Sequence, residues 1–333
     1  MSDSIAGLRR KMASAGDLHS VVRTMKALAA SSIGQYERSV LALVDYDRTV
    51  TLGLGECFRQ ARCASTLPEP LPKPIRRGHA RAIGAIVFGS DQGLVGQFND
   101  VVAEHAIRTL GTLAGTPRVW AVGERVHARL SDAGLKTAGL YAVPGSVETI
   151  APLVGQIQID SEAQRARGDE TQVYVFHNRP KSGSLYEPVS QRLLPLDMAW
   201  ELGLAAIRWP SPMLPQAIGS GTTTLRALIR EYLFISLFRA CAESLASENA
   251  SRFAAMERAD RNIKDLLEGL QGTFRRLRQS SIDEELFDVT SGYEALAKEI
   301  AGLASCDSGA GLCQPPSRAI SPSAAAGPQV PGL

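Results

Sequence analysis

The sequence predicts an α/β domain carried between two long helices that pair as an antiparallel coiled coil. Three observations predict it. Apolar residues recur in alternating steps of three and four through the first sixty residues. Strand-like and helix-like runs then alternate from residue 80 to about 205. From residue 222 to about 303 the chain reads as helix again, with a second three-and-four pattern between Met256 and Leu277.

The first helix is read over residues 3 to about 60, within a segment bounded at 1–66. Its seam runs through Ile5, Leu8, Met12, Ala15, His19, Val22, Lys26, Ala29, Ile33, Tyr36, Val40 and Leu43. His19, Lys26 and, further on, Asp47 are polar at seam positions, and Gly7, Gly16 and Gly34 each weaken the helix by ~1 kcal/mol relative to alanine. No proline occurs before Pro68, so nothing breaks the helix outright. Prolines at 68, 70, 72 and 74 then mark an extended linker over 67–79.

The α/β domain is placed at 80–208. Ala82–Phe88 (AIGAIVF) is the first strand, followed by a helix over 101–110. A second strand over 117–122, helices over 124–133 and 146–165, and strands over 172–177 and 188–194 complete it. The alternation predicts a small, largely parallel sheet of four or five strands with helices packed on it. WPSPMLP closes the domain within a second linker, 209–221.

The last helix is placed at 222–303. Met256, Ala259, Ile263, Leu266 and Leu270 carry its seam, and Phe274 and Leu277 resume it after two steps of four, as at a stutter. Such a helix is ~120 Å long at ~1.5 Å per residue, more than a compact domain holds alone. The first helix is the obvious partner, and the pair must run antiparallel. Residues 304–333 hold Ser, Gly, Pro and Ala with almost no large apolar group and read as disordered.

Composition narrows the function. The formal net charge is +2, so the whole chain implies no polyanionic partner and no nucleic acid. The five cysteines include no C-x-x-C pair, which points away from a zinc cage or redox dithiol and toward a reducing compartment. The N-terminus lacks a signal-like apolar core, and no run of ~18 uncharged apolar residues predicts membrane insertion. The histidines at 19, 79, 105, 127 and 177 share no metal-ligand spacing; His105 and His127 are expected on helix surfaces. Neither a G-x-S-x-G elbow nor an H-E-x-x-H pair is present. No catalytic residue and no metal are expected.

The stretch GSDQGLVGQFND, residues 89–100, follows the first strand and poses the question of a phosphate loop. A dinucleotide fingerprint needs G-x-G-x-x-G; here the glycines are spaced G-x-x-x-G-x-x-G, and no G-K-[ST] follows. Asp91 sets a negative charge where a pyrophosphate would lie, with no Lys or Arg beside it. Only Glu124, after the second strand, stands where a ribose-binding acid would be. The reading is a connection whose glycines allow a tight turn, with no bound cofactor.

Basic residues cluster on both helices: Arg9, Arg10, Lys11, Arg23 and Lys26 on the first, Arg275, Arg276 and Arg278 on the last, with Asp283, Glu284 and Glu285 following. A charged helix face is usually only solvated, but these lie away from the globular part.

These motifs together resemble the gamma subunit of F-type ATP synthases. The carriers are LRRKMASAGDLHSVVRTMKALAAS near the start, SDQGLVGQFN after the first strand, RLLPL after the fourth, and SENASRFAAMERADRNIKDLLEGLQGTFRRLRQSSIDEELFDVTSGYEAL in the last helix. Val95 and Gln92 replace the family's usual Cys and Arg in the loop, Asp283 replaces a usual Thr, and a tail follows Leu303. Such departures fit a divergent branch, of the alternate or sodium-type ATPase kind.

The resemblance implies a Rossmann-like base that binds no nucleotide and a central rotor stalk that is not itself an enzyme. It implies partners as well: the α and β subunits of the catalytic hexamer, the epsilon subunit and the c-subunit ring. The location it implies is the cytoplasmic face of the bacterial inner membrane, held peripherally through the complex. Contact with β is implied for Arg23 and Met25 on the first helix and for Arg252, Arg278 and Gln279 on the last. Arginine offers a directional fork to acidic or carbonyl groups, and Met25 is soft enough to slide past different loops. Asp283 either pairs with a basic group on β or faces water. Two other readings stand beside this one: a nucleotide-dependent α/β enzyme with coiled-coil arms, and a coiled-coil adaptor.

Overall fold

The computed structural model describes residues 4–63, 82–166, 170–181, 184–213, 215–216 and 221–306. The expected linker at 67–79 and residues 307–333 of the expected tail lie outside them; residues 304–306, also placed in that tail, belong to the last helix. Contacts divide the chain into two compact units, a larger one over residues 11–268 and a smaller one joining residues up to Arg10 with those from Gly269 onward.

Two helices frame the chain. Helix α1 covers Ile5–Cys63, and Ser4 begins it by accepting the Gly7 N–H on its hydroxyl at 3.2 Å. Helix α6 covers Gly221–Cys306, 86 residues without a break. Between them come β1 (Ala82–Phe88), α2 (Phe98–Thr112), β2 (Thr116–Val122), α3 (Glu124–Asp132), β3 (Thr137–Tyr141), α4 (Ile150–Ala166), β4 (Glu170–Lys181), β5 (Ser184–Leu194) and α5 (Met198–Ala206).

The strands form one sheet in the order β3-β2-β1-β4-β5. The first four are parallel and β5 is antiparallel to β4. β1 is central and buried on both faces, which is why its sequence is a continuous apolar run rather than an alternating one. On one face Ile83, Ala85 and Val87 pack with Val102, Ala106 and Leu110 of α2 and with Val126 and Leu130 of α3. On the other, Ile86, Phe88, Val173 and Val175 pack with Ile150, Val154 and Ile157 of α4 and with Leu237, Cys241 and Leu245 of α6. The long helix is thus one layer of the sandwich. Between Ile235 and Ser251 it is buried almost all round, a pattern that a single seam does not predict.

Within the larger unit α1 and α6 run side by side in opposite directions, because successive partners ascend on one and descend on the other: His19 with Asp260, Lys26 with Glu257, Tyr46 with Glu231. From Leu8 to Tyr36 the buried residues of α1 fall every seventh place, at Leu8, Ala15, Val22, Ala29 and Tyr36; Val50, Leu54 and Phe58 are buried further on. On α6 the seam differs from the sequence reading. Asp260, Ile263 and Leu267 face inward, while Leu266 is exposed, so the steps stay regular and no stutter is needed near residue 270. A buried aspartate at a seam position misled the hydrophobic count.

Two elements escape the sequence reading. β3 is an edge strand of sequence TAGLY, too short and too mixed to register. α5 lies just ahead of WPSPMLP and is held by α1. Gly55 lets the α5 backbone approach so closely that a β-carbon there would sit 2.5 Å from the Leu204 carbonyl oxygen. Arg59 then donates to the carbonyls of Ala205 and Ile207 at 3.2 and 2.7 Å, satisfying the end of α5. In the smaller unit, Leu8 is buried and the Arg9 guanidinium lies 5.5 Å from the centre of the Phe274 ring.

Candidate functional site

The loop after β1 is held as a closed lattice. Gly89 donates its N–H to the Val122 carbonyl at 2.8 Å. The Ser90 N–H donates to Asn99 Oδ1 at 2.9 Å, and Asn99 Nδ2 donates back to the Ser90 hydroxyl at 2.8 Å. Asp91 spends both carboxylate oxygens on backbone: Oδ1 accepts the Glu124 N–H at 3.0 Å and Oδ2 the Val143 N–H at 2.8 Å. Glu124 is the first residue of α3, so the positive end of that helix is met by the protein's own anion. Gly89 is required by packing, since a β-carbon there would come within 2.4 Å of Val126 Cβ.

In an open parallel sheet, ligands bind beyond the carboxyl ends of the strands, where the strand order reverses. Here that place lies between β1 and β4, and α6 lies across it. Ser251 donates its hydroxyl to the Val95 carbonyl in the loop at 2.5 Å. Ser247 donates to the Asn178 carbonyl at 3.0 Å, and His177 Nε2 lies 2.8 Å from Glu243 Oε2. Asn178 in turn donates to the Phe98 carbonyl at the start of α2. The residues at a nucleotide's usual seat are therefore bonded to one another. Glu124, the one agreement with a ribose site, is exposed and is tied through its backbone to Asp91. Among the described residues no group of three or more His, Cys, Asp or Glu is placed to hold a metal.

The expected contact residues fall in three places. Arg23 and Met25 lie on α1 in the larger unit. Arg23 is exposed and, among the described residues, has no ion-pair partner. Met25 is half-buried against the cluster of Val22, Met256 and Ile263, so one side of it holds the helix pair together. Nearby, Lys26 lies 5.4 Å from the Phe253 ring centre and 3.9 Å from Glu257.

Arg252 is different. Its side chain is only 13% exposed, and it donates to Glu248 Oε1 at 2.6 Å, one turn back on the same helix. Glu248 is itself buried, and burial is the main cause that pushes its carboxyl above the ordinary range, with the Arg252 charge acting in the other direction. Tyr36 of α1 feels the same cluster: burial first, then the Glu248 charge, raise its hydroxyl pKa.

Arg278, Gln279 and Asp283 lie on α6 in the smaller unit, all exposed. Gln279 donates to Asp283 Oδ1 at 2.9 Å, so the aspartate meets its own helix neighbour. From Ile282 onward, Ile282, Leu286, Val289, Tyr293, Leu296 and Ile300 form a three-and-four seam that is exposed, from 40% at Ile282 to 74% at Tyr293.

The two histidines expected on helix surfaces lie on α2 and α3, each only partly exposed. His105 is half-buried against the Phe176 ring, and burial lowers its pKa; His127 contacts the Thr137 hydroxyl at 2.8 Å. Sequence reasoning gave no weight to Ser247, Ser251, Asn99 and Asn178, which hold the loop. Each stands beside charged or polar neighbours, in QFND, HNR and SENASR, so local sequence does not mark them as buried.

Comparison with known proteins bears on this arrangement. The sequence profile of the ATP synthase family matches residues 4–296. The chain is 25% identical over 306 residues to an ATP synthase gamma chain of Anaeromyxobacter sp. (strain Fw109-5), covering 88% of this chain and 99% of that one. It is 28% identical over 313 residues to the ATP synthase gamma chain of Salinibacter ruber, covering 88% and 98%. In fold it is similar to a chain of the Euglena gracilis mitochondrial ATP synthase, seen by cryo-electron microscopy as an OSCP/F1/c-ring assembly. That likeness has a TM-score of 0.56 at 15% identity, over 89% of this chain and 95% of that one. With the profile spanning both terminal helices and the sheet between them, the chain belongs to the ATP synthase family, among relatives that are its gamma chains.

Proposed function

We propose that this chain is the central rotor subunit of a membrane ATP synthase or ATPase. It couples rotation of an ion-driven ring to conformational change at catalytic sites on other subunits. In this reading α1 and α6 form an antiparallel coiled coil, and the Rossmann-like sheet domain is the base from which it is turned. The observation that carries the reading is the position of α6 across the carboxyl ends of β1 and β4. A nucleotide enzyme keeps that crevice open, whereas a rotor uses it to fix a long helix rigidly to its base.

The subunit has no catalytic chemistry of its own in this account. Its asymmetry acts on the β subunits of an α and β hexamer through Arg23, Met25, Arg278, Gln279 and Asp283. Arg252 acts from inside, by holding Glu248. The base rests on the c-subunit ring beside the epsilon subunit, at the cytoplasmic face of a bacterial inner membrane. No described helix is long and apolar enough to cross a membrane.

Affinity purification of the tagged chain from its own cells tests this. Recovery of α and β subunits in threefold excess is expected. Recovery alone, or with an unrelated partner, overturns the rotor reading in favour of an adaptor.

A further inference from the structure

Resting on the rotor reading, we propose that Asp260 is a positioning residue that fixes the register between α1 and α6 beside Met25, acting through His19. Asp260 is 7% exposed and sits in the α6 seam between the buried apolar residues Met256 and Ile263. Its two oxygens are divided between the helices. Oδ1 lies 2.7 Å from His19 Nε2 on α1, and Oδ2 accepts from Lys264 Nζ on its own helix at 3.0 Å. His19 is itself a polar residue on the α1 seam, between Ala15 and Val22.

The apolar part of this seam specifies register poorly. Small or medium apolar groups recur on α1 at Leu8, Ala15, Val22 and Ala29, so a slide of one heptad, ~10 Å, brings similar surfaces together again. The polar partners break that repeat. A slide in one direction sets Asp260 against Met12 and His19 against Phe253, so the carboxylate keeps only Lys264 of its own helix and the imidazole loses its acceptor. A slide in the other sets Asp260 against Lys26, which can pair with it, but sets His19 against Leu267 and takes Lys26 away from Glu257. Each slide leaves His19 in an apolar seam without Asp260, which is disfavoured. Further along, Asp47 meets Arg239 at 3.1 Å and Lys26 meets Glu257, so each polar seam position on α1 has a polar partner across the pair. In a rotor, slip between the two helices would dissipate rotation before it reached the contact residues, and Asp260 resists that slip.

The test uses the assembled complex. Spin labels are attached at exposed positions 30 of α1 and 262 of α6, with the native cysteines replaced. The distance between labels and the ions pumped per ATP hydrolysed are both measured. Asp260→Ala and the isosteric Asp260→Asn are expected to broaden the distance distribution and to lower the pumping ratio at least twofold. The swap of His19→Asp with Asp260→His is expected to restore both. An unchanged distance and ratio in the single variants overturns the proposal, as does a lowered ratio with an unchanged distance. Failure of the wild-type chain to assemble with α and β subunits would instead overturn the rotor reading.

Discussion

Asp91 places a carboxylate oxygen 3.0 Å from the backbone nitrogen of Glu124, the first residue of helix α3. The bond crosses from the loop after β1 to the helix after β2 and acts as a cap supplied from elsewhere in the chain. Its second oxygen fixes Val143. Asp91→Ala removes both acceptors and leaves two backbone donors without a partner. A cap of this kind contributes about 0.5–2 kcal/mol, so a loss at or above the upper end is expected by denaturant unfolding. Asp91→Asn should lose less. Calorimetry on either variant should show no ATP or NAD binding tighter than ~100 µM, about 5.5 kcal/mol, because α6 still covers the crevice.

Gly89→Ala tests the packing of the same loop. The added carbon would overlap the side chain of Val126, which is buried and fixed on α3. A loss of about 1–3 kcal/mol is expected, as for other overpacked interiors. Gly111, with nothing within 4 Å of an added carbon, provides the control: Gly111→Ala should be neutral or slightly stabilising.

Glu248 predicts a pH dependence with a definite sign. Burial raises its carboxyl, so the folded chain holds the proton more tightly than the unfolded one. Its contribution is therefore most favourable below the ordinary glutamate range, about 4.3, and is lost as pH rises through the raised value. Glu248→Gln lacks that term, so the variant should gain on the wild type as pH increases from 4 upward. Asp260 has the opposite sign. Lys264 first, and His19 with it, lower its carboxyl, so its contribution is lost only as pH falls below the ordinary aspartate range. Urea midpoints of the two single variants against wild type, followed across pH, separate the two. Parallel curves for Glu248→Gln and wild type would contradict the first assignment.

Met25→Lys introduces a strongly hydrated charge at a half-buried position. One side of Met25 packs on Val22 and Met256, so a loss of about 1 kcal/mol in stability is expected. The larger effect is expected in function: fewer ions pumped per ATP hydrolysed by the assembled complex, with the complex still intact. Pumping equal to wild type would remove Met25 from the functional contacts.

The strands and helices of the base were legible because their patterns are local: AIGAIVF can hardly be other than a buried strand, and its neighbours alternate around it. β3 was not, since a five-residue edge strand carries little apolar signal. α5 was not, since its reason lies in Gly55 and Arg59, more than a hundred residues earlier. The candidate contacts were legible only through resemblance. Arg252 shows the limit of that route. An arginine on a helix reads as a charged surface group, and only the fold reveals that Glu248, one turn away, draws it inside. Asp260 shows the reverse: an aspartate in a seam reads as a defect until His19, 241 residues away, is found opposite.

The central claim is that this chain turns inside a ring of other subunits. The most direct measurement fixes the α and β subunits to a surface and attaches a probe to the base, at exposed residue 132 on α3, in the purified complex. On adding ATP, the account predicts sustained rotation of the probe in one direction, stopping when ATP is removed. A probe that stays fixed while the same complex hydrolyses ATP would contradict it.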